Sequence, residues 1–353
     1  MRRIRCILVA IAVSCLSAGA SAQCRADFDA NGAVNGADLG LLLSAWGTCG
    51  SPCPRDLDAN GVVGGSDLGI LLGAWGECPP AVVPAWATLI EPNPDPAVVT
   101  SASLRAAIRA TGLAWRVRDS SSQVEMLLVP PGTFQRGCSA SLTQPCFSDE
   151  LPVRAITVSA PFYVGRRELT QSQWRAVMGD NPSQFRGPDY PEDLHPVETL
   201  SWDRVAEFNA RTGLRMLTEA EWEYAFRAGT STAYHGYSGV PNGTNAEGFV
   251  TLIAWHEGNS GAQTRPVGQK LANGFGLHDM AGNVAEFVSD WFGSDYFGSC
   301  PAVDPPGPTS GTYRVVRGGH LLDAPIWLRS SVRFGAMPAV TYTLVGVRVA
   351  RDP

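Results

Sequence analysis

The chain has 353 residues, of which 44 % are hydrophobic and 17 % are charged. That hydrophobic content excludes wholesale disorder, and the 38 Gly and 26 Pro exclude a coiled coil or a long helical array. The 27 basic and 33 acidic residues give a net charge of −6, so no basic field is present to attract nucleic acid. At about 150 residues per domain, the length predicts two domains.

Residues 1–22 have the pattern of a secretory signal peptide. Three arginines lie within the first five residues, and the apolar run that follows over residues 7–16 is short for a membrane span. Ala20-Ser21-Ala22 offers small residues for cleavage before Gln23. The alternatives are an uncleaved anchor or a lipoprotein signal that ends at Cys15. We expect a secreted or extracytoplasmic protein without a later membrane span, in which disulfides can form.

Residues 24–78 contain a tandem repeat with an offset of 29 residues. Each copy places Asp or Asn at positions 1, 3, 5 and 12 of an EF-hand-type loop, with Gly at position 6, where the chain must turn sharply. Hard oxygen ligands without thiolate or imidazole suit Ca²⁺. The predicted calcium ligands are Asp27, Asp29, Asn31 and Asp38 in the first loop and Asp56, Asp58, Asn60 and Asp67 in the second.

A short helix is predicted after each loop. Its apolar residues fall at i, i+3, i+4 and i+7, which predicts one buried face; in the first copy they are Leu39, Leu42, Leu43 and Trp46. One copy cannot bury this face alone, so we expect the two copies to pack together. The cysteine spacing suggests disulfides Cys24–Cys49 and Cys53–Cys78, although four cysteines allow three pairings.

A duplicated loop plus following helix, with no helix before the loop, resembles a type I dockerin. The resemblance implies a small all-α calcium module that docks onto a cohesin-like protein or a cell-surface partner. The positions that read the partner in dockerins hold the small pairs Gly36-Ala37 and Gly65-Ser66. The alternative is a calcium-stabilised spacer without a partner.

Residues 79–122 are predicted to be a Pro-rich linker. Within them, residues 101–118 carry a weak helical pattern. The following region, residues 123–353, alternates apolar strands with short helices. Strand patterns cover residues 124–134 and 155–164. Helices are predicted over residues 171–178, 202–209 and 218–225, with Thr170, Ser201 and Thr218 as N-caps, and Glu221 completes a capping box with Thr218.

Eight short motifs follow one another in this region. They are VPPGTF (129–134), RELT (167–170), VETLSW (197–202), TEAEWEYA (218–225), RPVG (265–268), NGFGLHDMAGNV (273–284), RGG (317–319) and GVR (346–348). Together they resemble the formylglycine-generating enzyme family, also called the sulfatase-modifying factor domain. The resemblance implies an α+β fold, an irregular variant of the C-type lectin fold. It also implies oxidation of a cysteine in a sulfatase peptide to formylglycine.

The resemblance implies a calcium site in the large domain. Asp279 and Glu286 would supply carboxylates, and Gly282 and Val284 would supply backbone carbonyls, which are hard oxygen ligands from one tight turn. A second family site would involve Asn245 and Ala246. The alternative is that the two carboxylates only accept hydrogen bonds from turn amides.

Family enzymes hold copper(I) between two cysteines a few residues after the Arg-Gly-Gly motif, because soft thiolates select that ion. In this chain the two positions fall near Asp323 and Leu328, and residues 317–333 contain no cysteine. Copper is therefore not expected, and no catalytic residue is assigned. Cys138 and Cys146 are expected to pair with each other, which leaves Cys300 over.

These observations support two hypotheses about the function. The first is a secreted calcium-binding protein whose large domain is a non-catalytic peptide- or glycan-binding module. The alternative is an oxidoreductase of the family, formylglycine-generating or of a non-haem iron type, which acts on a protein or a small molecule. Iron would need about three convergent ligands, for which the candidates are His256, His278, His320 and Asp323. The Arg329 to Arg333 cluster is expected to form a solvated face.

Overall fold

The computed structural model describes residues 25–29, 31–50, 53–78, 80–139, 145–237, 240 and 242–353. The expected signal peptide and Cys24 lie outside these residues. The chain divides into two compact units, a first that ends before Pro80 and a second from Pro80 to Pro353. Among the described residues, every helix is too short or too polar to cross a membrane.

The first unit combines the two repeats through their strands. Its elements are β1 (Ala33–Val34), α1 (Gly36–Leu43), β2 (Gly47–Thr48), β3 (Val62–Val63), α2 (Gly65–Gly73) and β4 (Gly76–Glu77). Strand β1 pairs with β4 and β2 pairs with β3, both antiparallel, so each short sheet joins the two copies. A small core lies between them, formed by Ala26, Val34, Leu42, Leu57, Val63, Leu71 and Ala74.

The buried stripe of α1 is narrower than the sequence predicts. Leu42 is fully buried and Leu39 is partly buried, but Leu43 and Trp46 are each 51 % exposed. The equivalent Leu72 of α2 is exposed in the same way. The prediction of one buried face was therefore wrong for half of its residues, because the two short helices contact each other along a single stripe.

The structure pairs Cys49 with Cys53, which corrects the predicted Cys24–Cys49 and Cys53–Cys78 disulfides. The Cα atoms of the pair lie 5.8 Å apart, within the usual range for a disulfide. Pairing of β2 with β3 brings the end of the first copy beside the second, and Cys49 N donates to Gly61 O at 3.1 Å. The bond therefore links the two copies instead of closing each one.

The second unit is a mixed α+β structure. Its helices are α3 (Ala102–Ala110), α4 (Gln171–Met178), α5 (Trp202–Thr212), α6 (Glu219–Arg227), α7 (Val250–Ile253) and α8 (Tyr296–Ser299), with 3₁₀ turns at Ser148–Glu150, Glu247–Phe249 and Pro325–Leu328. Its strands are β5 (Ala87–Glu91), β6 (Arg116–Asp119), β7 (Glu125–Val129), β8 (Gly132–Arg136), β9 (Arg154–Val158), β10 (Phe162–Gly165), β11 (Arg215–Met216), β12 (Ala285–Trp291), β13 (Arg314–Arg317), β14 (Phe334–Ala336), β15 (Val345–Val347) and β16 (Val349–Arg351).

Two sheets organise this unit. The larger is antiparallel throughout with the order β11-β16-β10-β7-β6-β5. The smaller has the order β14-β13-β12-β15, in which only the β12–β15 pair is parallel. Strands β8 and β9 form a separate hairpin. Aromatic side chains fill the core, with Trp115, Trp174 and Trp222 almost fully buried.

The predicted helix starts are confirmed. The side chains of Thr170, Ser201 and Thr218 each accept a hydrogen bond from the backbone N–H three residues later. In the last case Glu221 Oε2 accepts from Thr218 N at 2.8 Å, which completes the capping box. These helices start where the sequence predicts because a cap needs only neighbouring residues.

The interpretation of residues 79–122 as a linker was wrong. Strand β5 pairs with β6, and β6 pairs with β7, so this segment forms one edge of the large sheet. Trp115 and Val117 are buried, and Tyr163 Oη donates to Ala114 O at 2.6 Å. The proline-rich composition fits an edge strand and its flanking turns as well as it fits a linker, because proline lacks the N–H that an inner strand needs.

Candidate functional site

Two consecutive glycines, Gly318 and Gly319, set the backbone direction of the segment that follows strand β13. Gly318 has a φ of 89° and Gly319 a φ of 64°, a left-handed region that glycine adopts without steric cost. A Cβ on Gly318 would lie 3.3 Å from the Trp222 ring, and one on Gly319 would lie 2.5 Å from the Leu328 side chain. The Arg-Gly-Gly motif therefore folds residues 320–328 tightly against the core.

The two positions that correspond to the expected copper ligands hold an acid and an aliphatic side chain. Leu328 is fully buried. Asp323 Oδ2 accepts a hydrogen bond from His320 N at 2.8 Å and lies 3.3 Å from His320 Nδ1. Burial raises the pKa of Asp323, although the neighbouring His320 opposes the shift. Neither side chain offers the soft sulfur donor that copper(I) needs.

The described cysteines of this unit lie outside the segment. Cys138 and Cys146 form a disulfide, as the sequence predicts. Cys300 is a buried free thiol at the end of α8, and its Sγ lies 3.6 Å from Phe297 O and 3.7 Å from an Arg154 guanidinium nitrogen. Its thiol is therefore enclosed in the core, and its hydrogen-bond partners, Phe297 and Arg154, lie outside residues 320–328.

Aromatic rings form a surface beside Asp323. Trp327 is 37 % exposed and stacks on Phe147 with the ring centroids 4.9 Å apart and an interplanar angle of 9°. The ring centroid of Phe334 lies 5.8 Å from that of Trp327, at an interplanar angle of 42°. We call Phe147, Trp327 and Phe334 the Trp327 surface. Leu322, in the same segment, is also exposed. Flat rings of this kind can contact apolar parts of a ligand.

Arg329 and Arg333 do not form a solvated face, which corrects the expectation from the sequence. Both are buried, at 2 % and 5 % exposure. Arg329 pairs with Glu150 at 3.0 Å and Arg333 pairs with Glu219 at 2.5 Å. Their partners lie more than 100 residues earlier in the chain, so the local charge pattern could not reveal them.

These pairs belong to a buried network under residues 320–333. Glu219 also contacts Arg136 at 2.6 Å, and Arg317 joins Glu219 to Glu223 with distances of 3.8 and 2.7 Å. Burial by itself would raise the pKa of Glu219, but the charges of Arg333, Arg136 and Arg317 outweigh it and bring the pKa to about 2. The network makes the base of the site rigid, because Glu219 and Glu223 are each held by at least two guanidinium groups.

Asp290 is the exception in this network. Its Oδ2 accepts from Glu219 N at 2.8 Å, but its Oδ1 is buried without a hydrogen-bond partner. Burial, reinforced by the charge of Glu219, raises the pKa of Asp290 to about 7. Asp290 is therefore a carboxyl group that is partly protonated near neutral pH.

The four candidate iron ligands do not converge. His320 and Asp323 contact each other, as described above. His256 Nε2 lies 3.1 Å from Thr251 Oγ1, and His278 Nδ1 lies 2.8 Å from Lys270 O. Burial lowers the pKa of His278 to about 4. Within the described part of the chain, no group of three ligand atoms within 4.8 Å of one another includes a histidine.

The turn predicted to bind calcium brings its acidic residues into the core. Asp279 has a φ of 53°, its Oδ2 accepts from Gly268 N at 2.5 Å, and its Oδ1 is buried without a partner. Glu286 pairs with Arg348 at 2.8 Å and accepts from Trp222 Nε1 at 2.6 Å. Gly282, with a φ of 75°, leaves no room for a Cβ against the Trp255 carbonyl. The orphaned Asp279 oxygen fits a cation ligand, whereas Glu286 is already held by Arg348.

Glu168 joins this cluster, which the sequence analysis missed. Its carboxylate accepts from Val284 N at 3.0 Å and from Asn283 Nδ2 at 2.6 Å. Burial and the charges of Asp279 and Glu286 raise the pKa of Glu168 well above its usual range. Burial also raises the pKa of Asp279 to about 6. Its position in the RELT motif was the available signal, but nothing local placed it beside a turn more than 100 residues away.

The two loops of the first unit bring their predicted carboxylates together. Carboxylate oxygens of Asp27, Asp29 and Asp38 lie within 4.8 Å of one another, and those of Asp56, Asp58 and Asp67 do the same. Asn31 and Asn60 lie at the loop rims, where their side-chain amides donate to the Asp at position 3. Gly32 and Gly61 have φ of 96° and 86°, as position 6 requires. The donor set and spacing fit Ca²⁺.

Comparison with known proteins identifies one family. The family model described as "Sulfatase-modifying factor enzyme 1-like domain" matches residues 99–353. The chain is 32 % identical over 212 residues to a protein named formylglycine-generating enzyme from Thermomonospora curvata, covering 56 % of this chain and 67 % of that protein. It is 29 % identical over 251 residues to a protein named chaperone protein LppX from Paenibacillus barcinonensis, covering 55 % and 78 %.

Solved structures share the fold of the second unit. PvdO from Pseudomonas aeruginosa superposes with a TM-score of 0.56 at 27 % identity, covering 67 % of this chain and 98 % of that one. Treponema denticola variable protein 1 superposes with a TM-score of 0.54 at 28 % identity, covering 66 % and 98 %. About a third of this chain lies outside each superposition.

Proposed function

The chain belongs to the sulfatase-modifying factor enzyme 1-like family, and on that basis we propose that its second unit is a peptide-binding module without thiolate oxidase chemistry. The observation that carries the proposal is the pair Asp323 and Leu328 in the copper positions, directly beside the Trp327 surface. The site has the buried arginine–glutamate network beneath it and the exposed Trp327 ring beside it, while Asp323 and Leu328 stand where the family has its two cysteine ligands.

Peptide is the ligand class that this geometry favours. The exposed Trp327 and Leu322 can contact apolar side chains, and the Trp327 ring packs against both Phe147 and Phe334, which restricts its motion. Rigid aromatic anchors bind at a small entropic cost. Of the two relatives described above, one is named a chaperone, which agrees with polypeptide binding, and the other is named an enzyme. Iron chemistry is not proposed, since only His320 and Asp323 come together.

The first experiment tests the missing oxidase activity. The full exported chain, loaded with copper(I), is incubated with a sulfatase-type peptide that contains the substrate cysteine, and the product is analysed by mass spectrometry. We expect no formylglycine, whereas an active family enzyme under the same conditions serves as the positive control. Copper-dependent conversion of the peptide would overturn the proposal.

The second experiment tests binding. A phage-displayed peptide library is selected on the immobilised protein, and individual peptides are measured by fluorescence anisotropy. We expect Trp327→Ala to weaken the selected peptides at least tenfold. Trp46→Ala, a matched change of an exposed tryptophan in the first unit, should leave affinity within twofold. Equal affinity for wild type and Trp327→Ala would show that the peptide binds elsewhere.

We further propose that each loop of the first unit binds one Ca²⁺. Three carboxylates within 4.8 Å repel one another unless a cation lies between them, and this holds for both loops.

In the second unit, the orphaned Asp279 Oδ1 and the nearby Glu168 support one further calcium ion, with Gly282 and Val284 as carbonyl donors. Bound calcium would neutralise the carboxylates and fix the turns. Metal analysis of the purified protein should return three ions per chain, and none after Asp29→Asn, Asp58→Asn and Asp279→Asn are combined.

Export and attachment complete the proposal. The pattern of residues 1–22 supports secretion, and the dockerin-like repeat supports docking onto a cohesin-like or cell-surface partner. N-terminal sequencing of the exported protein should begin at Gln23. A pull-down with a purified cohesin module, with and without calcium, separates docking from a calcium-stabilised spacer.

A further inference from the structure

The second unit has a groove whose lining shares no residue with the Trp327 surface. It has a volume of about 490 Å³ and is lined by the segment before α3, the first turn of that helix, the loop after α6 and the turn at residues 273–274. Sites for small molecules usually measure about 300–1,000 Å³. The groove is therefore large enough for a ligand, and nothing in the peptide proposal uses it.

The lining is polar but carries no charge. It contains two amides, Asn242 and Asn273, three glycines, three small or aliphatic side chains and six hydroxyl groups; the hydroxyl groups belong to Thr100, Ser101, Ser103, Thr230, Ser231 and Tyr237. Hydroxyl and amide groups both donate and accept hydrogen bonds, whereas a charged group does one of the two. An uncharged lining of this kind suits a ligand with many hydroxyl groups and disfavours an ion, whose desolvation would not be compensated.

The walls are fixed by groups whose hydrogen bonds are already made. Asn273 donates to Ala225 O at 2.7 Å and accepts from Phe275 N, which anchors the floor to the end of α6. The loop after α6 is tied down from behind, because Tyr234 Oη donates to Pro325 O at 2.8 Å and Ser330 N donates to Ala233 O at 2.8 Å. These bonds fix the floor of the groove at Asn273 and the loop after α6 at residues 233–234.

Other polar groups of the lining remain available. Within the described residues, the side chains of Thr100, Ser231, Tyr237 and Asn242 make no hydrogen bond. Tyr237 is half-buried and lines the groove, and its backbone pairs with Val240 in both directions at 3.2 and 3.0 Å. The groove therefore offers one aromatic side chain, Tyr237, together with unused hydrogen-bond donors and acceptors.

We infer that this groove binds a neutral carbohydrate. A sugar ring presents apolar C–H groups on its face, which pack against an aromatic ring, and hydroxyl groups at its edge, which pair with hydroxyl and amide side chains. Tyr237 would pack against the face of the sugar ring, and Thr100, Ser231 and Asn242 would form hydrogen bonds with its hydroxyl groups. The lack of charge selects neutral sugars over uronic or phosphorylated ones. The inference is independent of the peptide site.

The test uses the full exported chain and four neutral disaccharides, cellobiose, maltose, xylobiose and N,N′-diacetylchitobiose, with digalacturonate as the charged probe. Binding is measured by ligand-observed NMR and by calorimetry. We expect at least one neutral disaccharide to bind saturably and digalacturonate not to bind. Tyr237→Ala removes the ring and Thr100→Asp adds a charge, and each should weaken binding at least tenfold.

Matched controls keep the test decisive. Tyr313→Ala and Thr309→Asp make the same changes at exposed positions outside the groove, and both should keep affinity within twofold. Trp327→Ala should also leave sugar binding unchanged, which separates this inference from the peptide proposal. If thermal denaturation shows that Tyr237→Ala is unfolded, the surface variant Thr100→Asp decides alone. The inference fails if no neutral disaccharide binds, if digalacturonate binds as tightly, or if the groove variants bind like wild type.

Discussion

The two units of this protein neutralise buried carboxylates in different ways. In the first unit, Asp38 and Asp67 are fully buried, and the hydrogen bonds to their oxygens come from backbone N–H groups, such as Phe28 N at 2.7 Å and Leu57 N at 2.6 Å. No arginine or lysine of the described chain forms an ion pair with either one. In the second unit, Glu219 is equally buried but pairs with several arginines.

We interpret this difference as two kinds of counterion: a cation from solution for the first unit, and buried arginines of the same chain for the second. A small unit with a core of a few residues has no room for buried arginines, which is why we propose that its carboxylates take a cation from solution. The larger unit has enough core to enclose its own counterions. The turn around Asp279 is a partial exception: Glu168 has two like charges beside it, Asp279 and Glu286, and one arginine, Arg348, opposite them, so we propose a cation here as well.

Removal of calcium should have the largest effect, and most of that effect should fall on the first unit, because the second unit is also held together by its own buried ion pairs. We expect EDTA to abolish hydrogen-exchange protection over residues 31–50 and 53–78, because the repelling carboxylates lose their cation. A ligand present at about 1,000 times its Kd stabilises by about 4 kcal/mol, so protection should fall about 1,000-fold. Strands β9 and β10 should keep their protection and serve as the internal control. Unchanged protection in the first unit would refute the external counterion.

Glu219→Gln should destabilise the second unit by about 3–5 kcal/mol, because three arginines would lose the charge that compensates them. The measurement is urea denaturation followed by a signal of this unit. Glu207→Gln is the matched control: its pairs with Arg204 and Arg211 are about 40 % exposed, and we expect a change of less than about 0.5 kcal/mol. A similar cost for both variants would contradict the internal network.

Asp290→Asn should stabilise the protein at alkaline pH by about 2 kcal/mol and have little effect at pH 4. The folded-state pKa of Asp290 is about 7, above the unfolded value of 3.8, so the folded state keeps a proton that the unfolded state loses. Wild-type stability should therefore fall as pH rises from about 4 to 7, and the variant should fall less steeply. Parallel stability curves for the two proteins would show that Asp290 does not titrate in this range.

Leu43→Ser and Leu72→Ser should have the smallest effect, below about 0.5 kcal/mol in the calcium-loaded protein, because both side chains are half exposed. Leu42→Ala, one residue away but fully buried, should cost about 2–5 kcal/mol. Thermal denaturation of the first unit in excess calcium compares the three. A large loss from the exposed positions would indicate that they pack against something outside this unit.

The features that the sequence predicted correctly are local. The caps at Thr170, Ser201 and Thr218 depend on residues three positions away. The loop carboxylates meet because their spacing and a single left-handed glycine bend the chain around one point. The family motifs identified the second unit for the same reason, since each one is a short stretch with a fixed local geometry.

The features that the sequence missed depend on distant partners. The segment taken for a linker is a sheet edge because β7 lies beside it. Cys49 pairs with Cys53 because two short strands from different copies meet. Arg329 can be buried because it forms an ion pair with Glu150, which lies far earlier in the chain.

The sequence by itself therefore determined the repeat, the helix starts, the family and the absence of the copper cysteines. Only the tertiary structure decided which charges are buried and what neutralises them. It brought Glu168 to the Asp279 turn and Tyr237 to an uncharged groove. The physical reason is that a charge or hydroxyl group has the same local pattern whether it faces solvent or the interior. Its environment is set by elements that pack against it from elsewhere in the chain.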